Sequence, residues 1–161
     1  MSILHKTQRG FGAIAAIVIL VILSVLAAAI TSISSTQHIT TAQDLQSARA
    51  WQAARAGNEW GLYLALKAQP WPTAGVTCDT ATFTTEIRQT LDLTADTGLR
   101  VTVFCGSQQY NEGESVPGTA KPVRIYRLRA VACPAATCPA LDASVAGVGY
   151  VERTRVVIAE N

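Results

Sequence analysis

The order of apolar and polar positions divides this chain into four stretches. Residues 11–30, FGAIAAIVILVILSVLAAAI, carry no charged side chain. At a helical rise of about 1.5 Å per residue such a run is about 30 Å long, the depth of a bilayer's hydrocarbon core. Residues 1–10 form a short leader that carries Lys6 and Arg9. Residues 31–69 hold no proline and read as an amphipathic continuation of the helix, so the pattern predicts one helix from about Gly12 to about Gln69, ended by Pro70 and Pro72. The serines and threonines of residues 31–41 form helix poorly, and a frayed or bent stretch is expected there.

Within the second half of that helix Ala53, Gly57, Gly61 and Ala65 recur at every fourth position and form a smooth ridge. A glycine inside a helix costs about 1 kcal/mol relative to alanine, so two on one line imply the close approach of another backbone, a sheet or a neighbouring helix. Trp51, Trp60, Tyr63 and Leu64 flank the ridge and read as core residues. Residues 70–161 change period. LRVTVFC alternates with Val101, Val103 and Cys105 on one side, VRIYRLRAVAC with Tyr126, Leu128 and Ala130 opposite Arg127 and Arg129, and YVERTRVVI supplies a further strand. TFTTEIRQTLDL suits a strand or a short helix, and QQYNEGESVPGTAKP reads as a turn-rich loop. The expected fold is α+β, a long N-terminal helix packed on a small antiparallel sheet of three or four strands that is too small to stand alone.

Composition narrows the function. The 161 residues suit one domain with an appended segment, and the 49% hydrophobic content is concentrated in residues 11–30. Net charge is +2, and without the leader 11 basic side chains stand against 11 acidic ones, which argues against nucleic acid as a partner. Four cysteines, Cys78, Cys105, Cys133 and Cys138, all follow the apolar run, the pattern of disulfides in an oxidising compartment. Three pairings are formally possible, and the CPAATC loop favours Cys133 with Cys138 and Cys78 with Cys105. A zinc site is the competing use, but His5 and His38 are the only histidines and no CxxC pair is present. No GxSxG, HExxH or phosphate-binding glycine loop occurs, so neither an enzyme nor a cofactor is expected. Arg127 and Arg129 with Arg153 and Arg155 are expected to form either a basic patch on the outer sheet face or a plain solvated face.

Lys6 and Arg9 ahead of the apolar run orient it with the amino terminus in the cytoplasm and the remainder outside. The plain reading is an uncleaved signal anchor. The junction TQRGF, with Gly10 and Phe11 at the border of the run, resembles the prepilin leader of type IV pilins and of the pseudopilins of type II secretion. That resemblance implies cleavage between Gly10 and Phe11 by a prepilin peptidase and N-methylation of Phe11. The fifth residue after the cut, usually glutamate in that family, is Ala15 here. The glutamate neutralises the amino terminus of the subunit ahead of it, so Ala15 implies a minor subunit, possible at the filament tip, where no subunit lies ahead.

The helix DLQSARAWQAARAGNEWGLYLAL is similar to that of the MshP family of pilin-like proteins in MSHA (mannose-sensitive haemagglutinin) pilus biogenesis, over residues 8–66 and again at YVERTRVVI. The resemblance implies a type IV pilin-like fold whose first half crosses the inner membrane and then lies in the filament core, with the head periplasmic and later on the cell surface. It implies assembly work, priming or capping the pilus through Ala15 and the ridge Ala53, Gly57, Gly61 and Ala65. Its partners would be other pilins, the prepilin peptidase and the assembly platform. A secretion pseudopilin, a pilus-tip adhesin and an anchored enzyme stand as alternatives.

Overall fold

The computed structural model describes residues 11–147 and 149–161, in two units of which the second begins at Gln43. In the first, α1 (Phe11–Leu66) opens with the stretch Gly12–Ile30, whose mean hydropathy is 3.1 and of which none is buried. Every large apolar side chain on it faces outward, a condition that water does not tolerate over such a length. By length and composition this segment can cross a membrane, and such segments serve as anchors or as signal sequences. The backbone is helical through residues 31–41, where fraying or bending was expected.

In the second unit α1 continues to Leu66 and ends ahead of Pro70. The N–H of Gln69 bonds to the carbonyl of Leu64 at 2.9 Å and that of Ala68 to Ala65 at 3.2 Å, with Ala68 at φ 48°, the bond pattern that closes a helix through a left-handed residue. The chain then makes a tight excursion that buries Trp71 completely, its ring edge-on to Trp60 at 5.2 Å.

Four strands follow, β1 (Ile87–Leu93), β2 (Leu99–Val116), β3 (Thr119–Cys133) and β4 (Arg153–Glu160), paired antiparallel in sequence order. TFTTEIRQTLDL thus yields a strand rather than a helix, because Ile87 and Leu91 pair with Cys105 and Val101 across the ladder. The stretch 108–122, expected as a loop, is instead strand. β2 and β3 run on as a hairpin to a turn at Pro117-Gly118, Gly118 at φ 83°, with register shifts between Asn111 and Val116. Its residues are exposed, so no face is buried and no apolar alternation marked it in the sequence.

One face of the sheet carries Val101, Val103, Cys105, Tyr126, Leu128, Ala130 and Ala132, all buried, and these form one core with Ala50, Ala53, Ala54 and Ala65 of α1. The α+β architecture expected from the alternation is what forms. On the opposite face the loop after β3 folds back, so Val131, Cys133 and Cys138 make a second small core against Phe104, Ala135 and Tyr150.

Candidate functional site

The ridge on α1 meets the sheet and not another helix. A Cβ on Gly57 would lie 2.6 Å from Val101 Cγ1, and one on Gly61 would lie 2.6 Å from Leu128 Cδ2 and 2.9 Å from Val103 Cγ1. Ala53 and Ala65 are buried on the same line. Of the two partners expected for Ala53, Gly57, Gly61 and Ala65, a sheet or a neighbouring helix, the chain's own sheet is the one that fills the ridge, which leaves no room there for a neighbouring subunit. Of the bulky residues flanking the ridge, Trp60 and Leu64 are half-buried against the core. Trp51 and Tyr63 are exposed, contrary to their reading as core, because they point away from the ridge. Sequence reasoning missed Asn58, which is 2% exposed and donates from Nδ2 to the Arg155 carbonyl at 3.3 Å, tying helix to β4.

The cysteines pair as Cys78 with Cys105 and Cys133 with Cys138. The first bond ties the excursion after α1 to β2, where the Ser107 hydroxyl also bonds to the carbonyls of Cys78 at 3.1 Å and Ala81 at 3.2 Å. The second closes a loop over the outer face, and Thr102, buried mid-strand, bonds from its hydroxyl to the Cys138 carbonyl.

The four arginines do not share a face. The register pairs Arg155 with Ala130 and Arg153 with Ala132, which turns both toward the α1 side of the sheet, while Arg127 and Arg129 face outward. A one-residue choice of register decides this, and side-chain alternation alone does not contain it. On the outer face Glu86 takes Arg127 Nη2 at 2.9 Å and Arg129 Nη2 at 3.1 Å, and the two guanidinium groups lie over Phe83 and Phe104. A groove of about 760 Å³ runs beside them, lined by Arg88, Asp92, Arg100, Phe104 and Leu141 among others. Hydrogen bonds from Thr94 hold the Asp92 carboxyl below the usual carboxylate range, so it stays ionised against Arg100 at 3.2 Å. On the other face Arg153 donates to the Ser47 hydroxyl and Arg155 lies 4.5 Å over the Trp51 ring.

At the end of the core the Tyr126 hydroxyl donates to Asp79 Oδ1 at 2.6 Å, and Arg124 donates to the Asp79 carbonyl and the Ser107 hydroxyl, both at 3.1 Å. Burial first, and then the bond to Asp79, push the Tyr126 phenol up from 10.0 to about 12. A phenol whose pKa is raised on folding stabilises the fold fully below its unfolded value, and that contribution is lost as pH rises from 10.0 to about 12. Tyr126→Phe is expected to lower stability by about 1 kcal/mol at neutral pH. It should also flatten part of the alkaline loss seen in denaturant titrations. Tyr150, raised to about 12 by burial and by its bond to Glu152, contributes in the same range, so Tyr150→Phe is the matched second variant.

Of the processing pair, Gly10 lies outside the described residues and Phe11 begins α1. Ala15 sits within the exposed apolar segment. Comparison of the chain with known protein families, with curated proteins and with solved structures finds no match.

Proposed function

We propose that this chain is a minor subunit of the type IV pilin-like kind. In this reading it is cut between Gly10 and Phe11, methylated at Phe11, and carried from the inner membrane into an MSHA-type filament, where it primes or caps assembly. The observation that carries the reading is one helix with two different surfaces. Its Gly12–Ile30 stretch is apolar and unburied, whereas its stretch from Ala50 to Ala65 is shaped, residue by residue, to a disulfide-tied antiparallel sheet. A soluble enzyme has no use for the first surface, and a simple membrane tether has no use for a glycine junction placed at its border.

The role is structural. No reaction is assigned to the head, and the partners are other pilin-like subunits, the peptidase and the assembly platform. Ala15 supports a position with no subunit ahead, because an alanine there leaves a neighbouring amino terminus unneutralised in an apolar bundle.

Mass spectrometry of the protein extracted from membranes tests the proposal. The expected chain begins at N-methylated Phe11, and Gly10→Leu is expected to leave the leader attached. Recovery of the wild-type chain with Met1 intact, or with a cut after residue 30, refutes it.

A further inference from the structure

The phase of a strand ladder decides which backbone groups are used inside a sheet and which face outward. Arg124 and Asn161 exchange both N–H···O bonds at 3.0 Å, so the odd-numbered residues of β4 bond to β3. The even-numbered ones, Thr154, Val156, Ile158 and Glu160, then direct N–H and C=O away from it. β4 ends the sheet, and among the described residues no hydrogen bond reaches these four from the open side. Their side chains are exposed, Val156 at 53% and Ile158 at 69%. Exposed edges are ordinarily blunted by proline, lysine, a bulge or short length. RTRVVIAE has eight residues in unbroken register, with neither proline nor lysine.

The other edge differs. Carrying the same alternation across the registers leaves Arg88, Thr90 and Asp92 of β1 facing outward. There Gln89 Nε2 donates to the Thr90 carbonyl at 3.1 Å while its Oε1 accepts the Thr73 N–H at 2.8 Å, so one carbonyl in the middle of the three-residue edge is covered. Among the described residues β4 has no such cover.

Charge describes the strand that fits. Arg153 and Arg155 stand on the α1 side of β4, and among the described residues neither meets a carboxylate. On the other face Val156 and Ile158 are apolar and uncovered. Residues paired across a ladder share a face, so an added strand meets apolar surface with one set of alternate side chains and two cations with the other.

We propose that β4 is a docking edge for a β-strand of a different protein chain, one that alternates apolar with acidic side chains. A second copy fits poorly. Its β1 edge places Ile87, Gln89 and Leu91, none of them acidic, on the α1 side where the arginines would meet them, and two β4 strands paired about a two-fold axis bring four arginines onto one face.

Amide hydrogen exchange on the full chain in detergent micelles tests the edge, with the peptide acetyl-Thr-Val-Glu-Val-Glu-Val-Thr-amide as probe. In the free chain the amides of Thr154, Val156, Ile158 and Glu160 should exchange fast and those of Arg155, Val157 and Ala159 slowly. The peptide should slow the first set, and the same peptide N-methylated at its valines should not. Val156→Pro removes only an outward N–H, so it should weaken binding about tenfold while the odd set stays protected. Four results overturn the proposal: an even set already slow in the free chain, no protection at millimolar peptide, equal binding by a lysine-for-glutamate peptide, or protection that tracks dimer formation in sedimentation. None of these readouts involves residues 1–30, so a failed edge and a failed maturation are told apart.

Discussion

Gly61→Val and Gly57→Val are each expected to destabilise the head by about 3 kcal/mol or more, whereas Ala56→Val, on the same turn of helix, costs less than about 1 kcal/mol. At Gly61 the first added carbon already lies 2.6 Å from Leu128 Cδ2 and 2.9 Å from Val103 Cγ1, and the second and third carbons of valine go further into the same space. At Gly57 the carbon meets Val101 Cγ1 at 2.6 Å and Val103 Cγ2 at 3.1 Å. Val101, Val103 and Leu128 are fully buried, so none can swing into solvent, and relief requires lifting the helix from the sheet. Valine is a somewhat better helix former than glycine, which offsets only about 0.4 kcal/mol. Ala56 is exposed and meets no such wall. Since a domain of this size is stable by about 5–15 kcal/mol, the loss is a large share of the total. Near-ultraviolet circular dichroism during melting reads it through the Trp60 and Trp71 pair. Melting temperatures of the glycine variants within about 2 °C of the wild type would mean that the ridge does not carry the sheet.

Replacing Cys78 and Cys105 together by alanine is expected to cost about 3.5 kcal/mol, and replacing Cys133 and Cys138 about 2 kcal/mol. Closing a loop removes entropy from the unfolded chain roughly as the logarithm of its length, and the two bonds span 27 and 5 residues. Position adds to the difference. Cys78 and Cys105 are buried in the main core, where their bond and the Ser107 hydrogen bonds hold the excursion that carries Trp71. The second bond belongs to the small outer core. Denaturant melts of the two double variants in oxidising buffer give the ranking, and a larger loss from the Cys133 and Cys138 pair would reverse it.

Much of the layout was legible because it rests on period. The charge-free run announces itself by composition, and the alternation of Val101, Val103 and Cys105 against Leu128 and Ala130 marks the buried sheet face. The ridge was legible as a demand for close approach by a sheet or a helix, and the structure fills it with the sheet. Three features resisted. The outer end of the β2–β3 hairpin, residues 108–122, buries neither face, so no pattern distinguishes it from a loop. Trp71 is set between two prolines, where nothing local tells a buried indole from an exposed one. Arg153 and Arg155 alternate as Arg127 and Arg129 do, yet they occupy opposite faces.

Residue order is therefore enough for the apolar helix, the alternation of the strands, the small-residue ridge and a cysteine pairing favoured by loop length, since each depends on neighbours within a few positions along the chain. Folding alone decides which surface fills the ridge, which face each arginine takes, and that β4 is left open while Gln89 covers one carbonyl of β1. These depend on strand register and on contacts between residues about a hundred positions apart, such as Asn58 with Arg155 and Ser47 with Arg153, and a shift of one residue in a ladder changes the face without altering any local pattern.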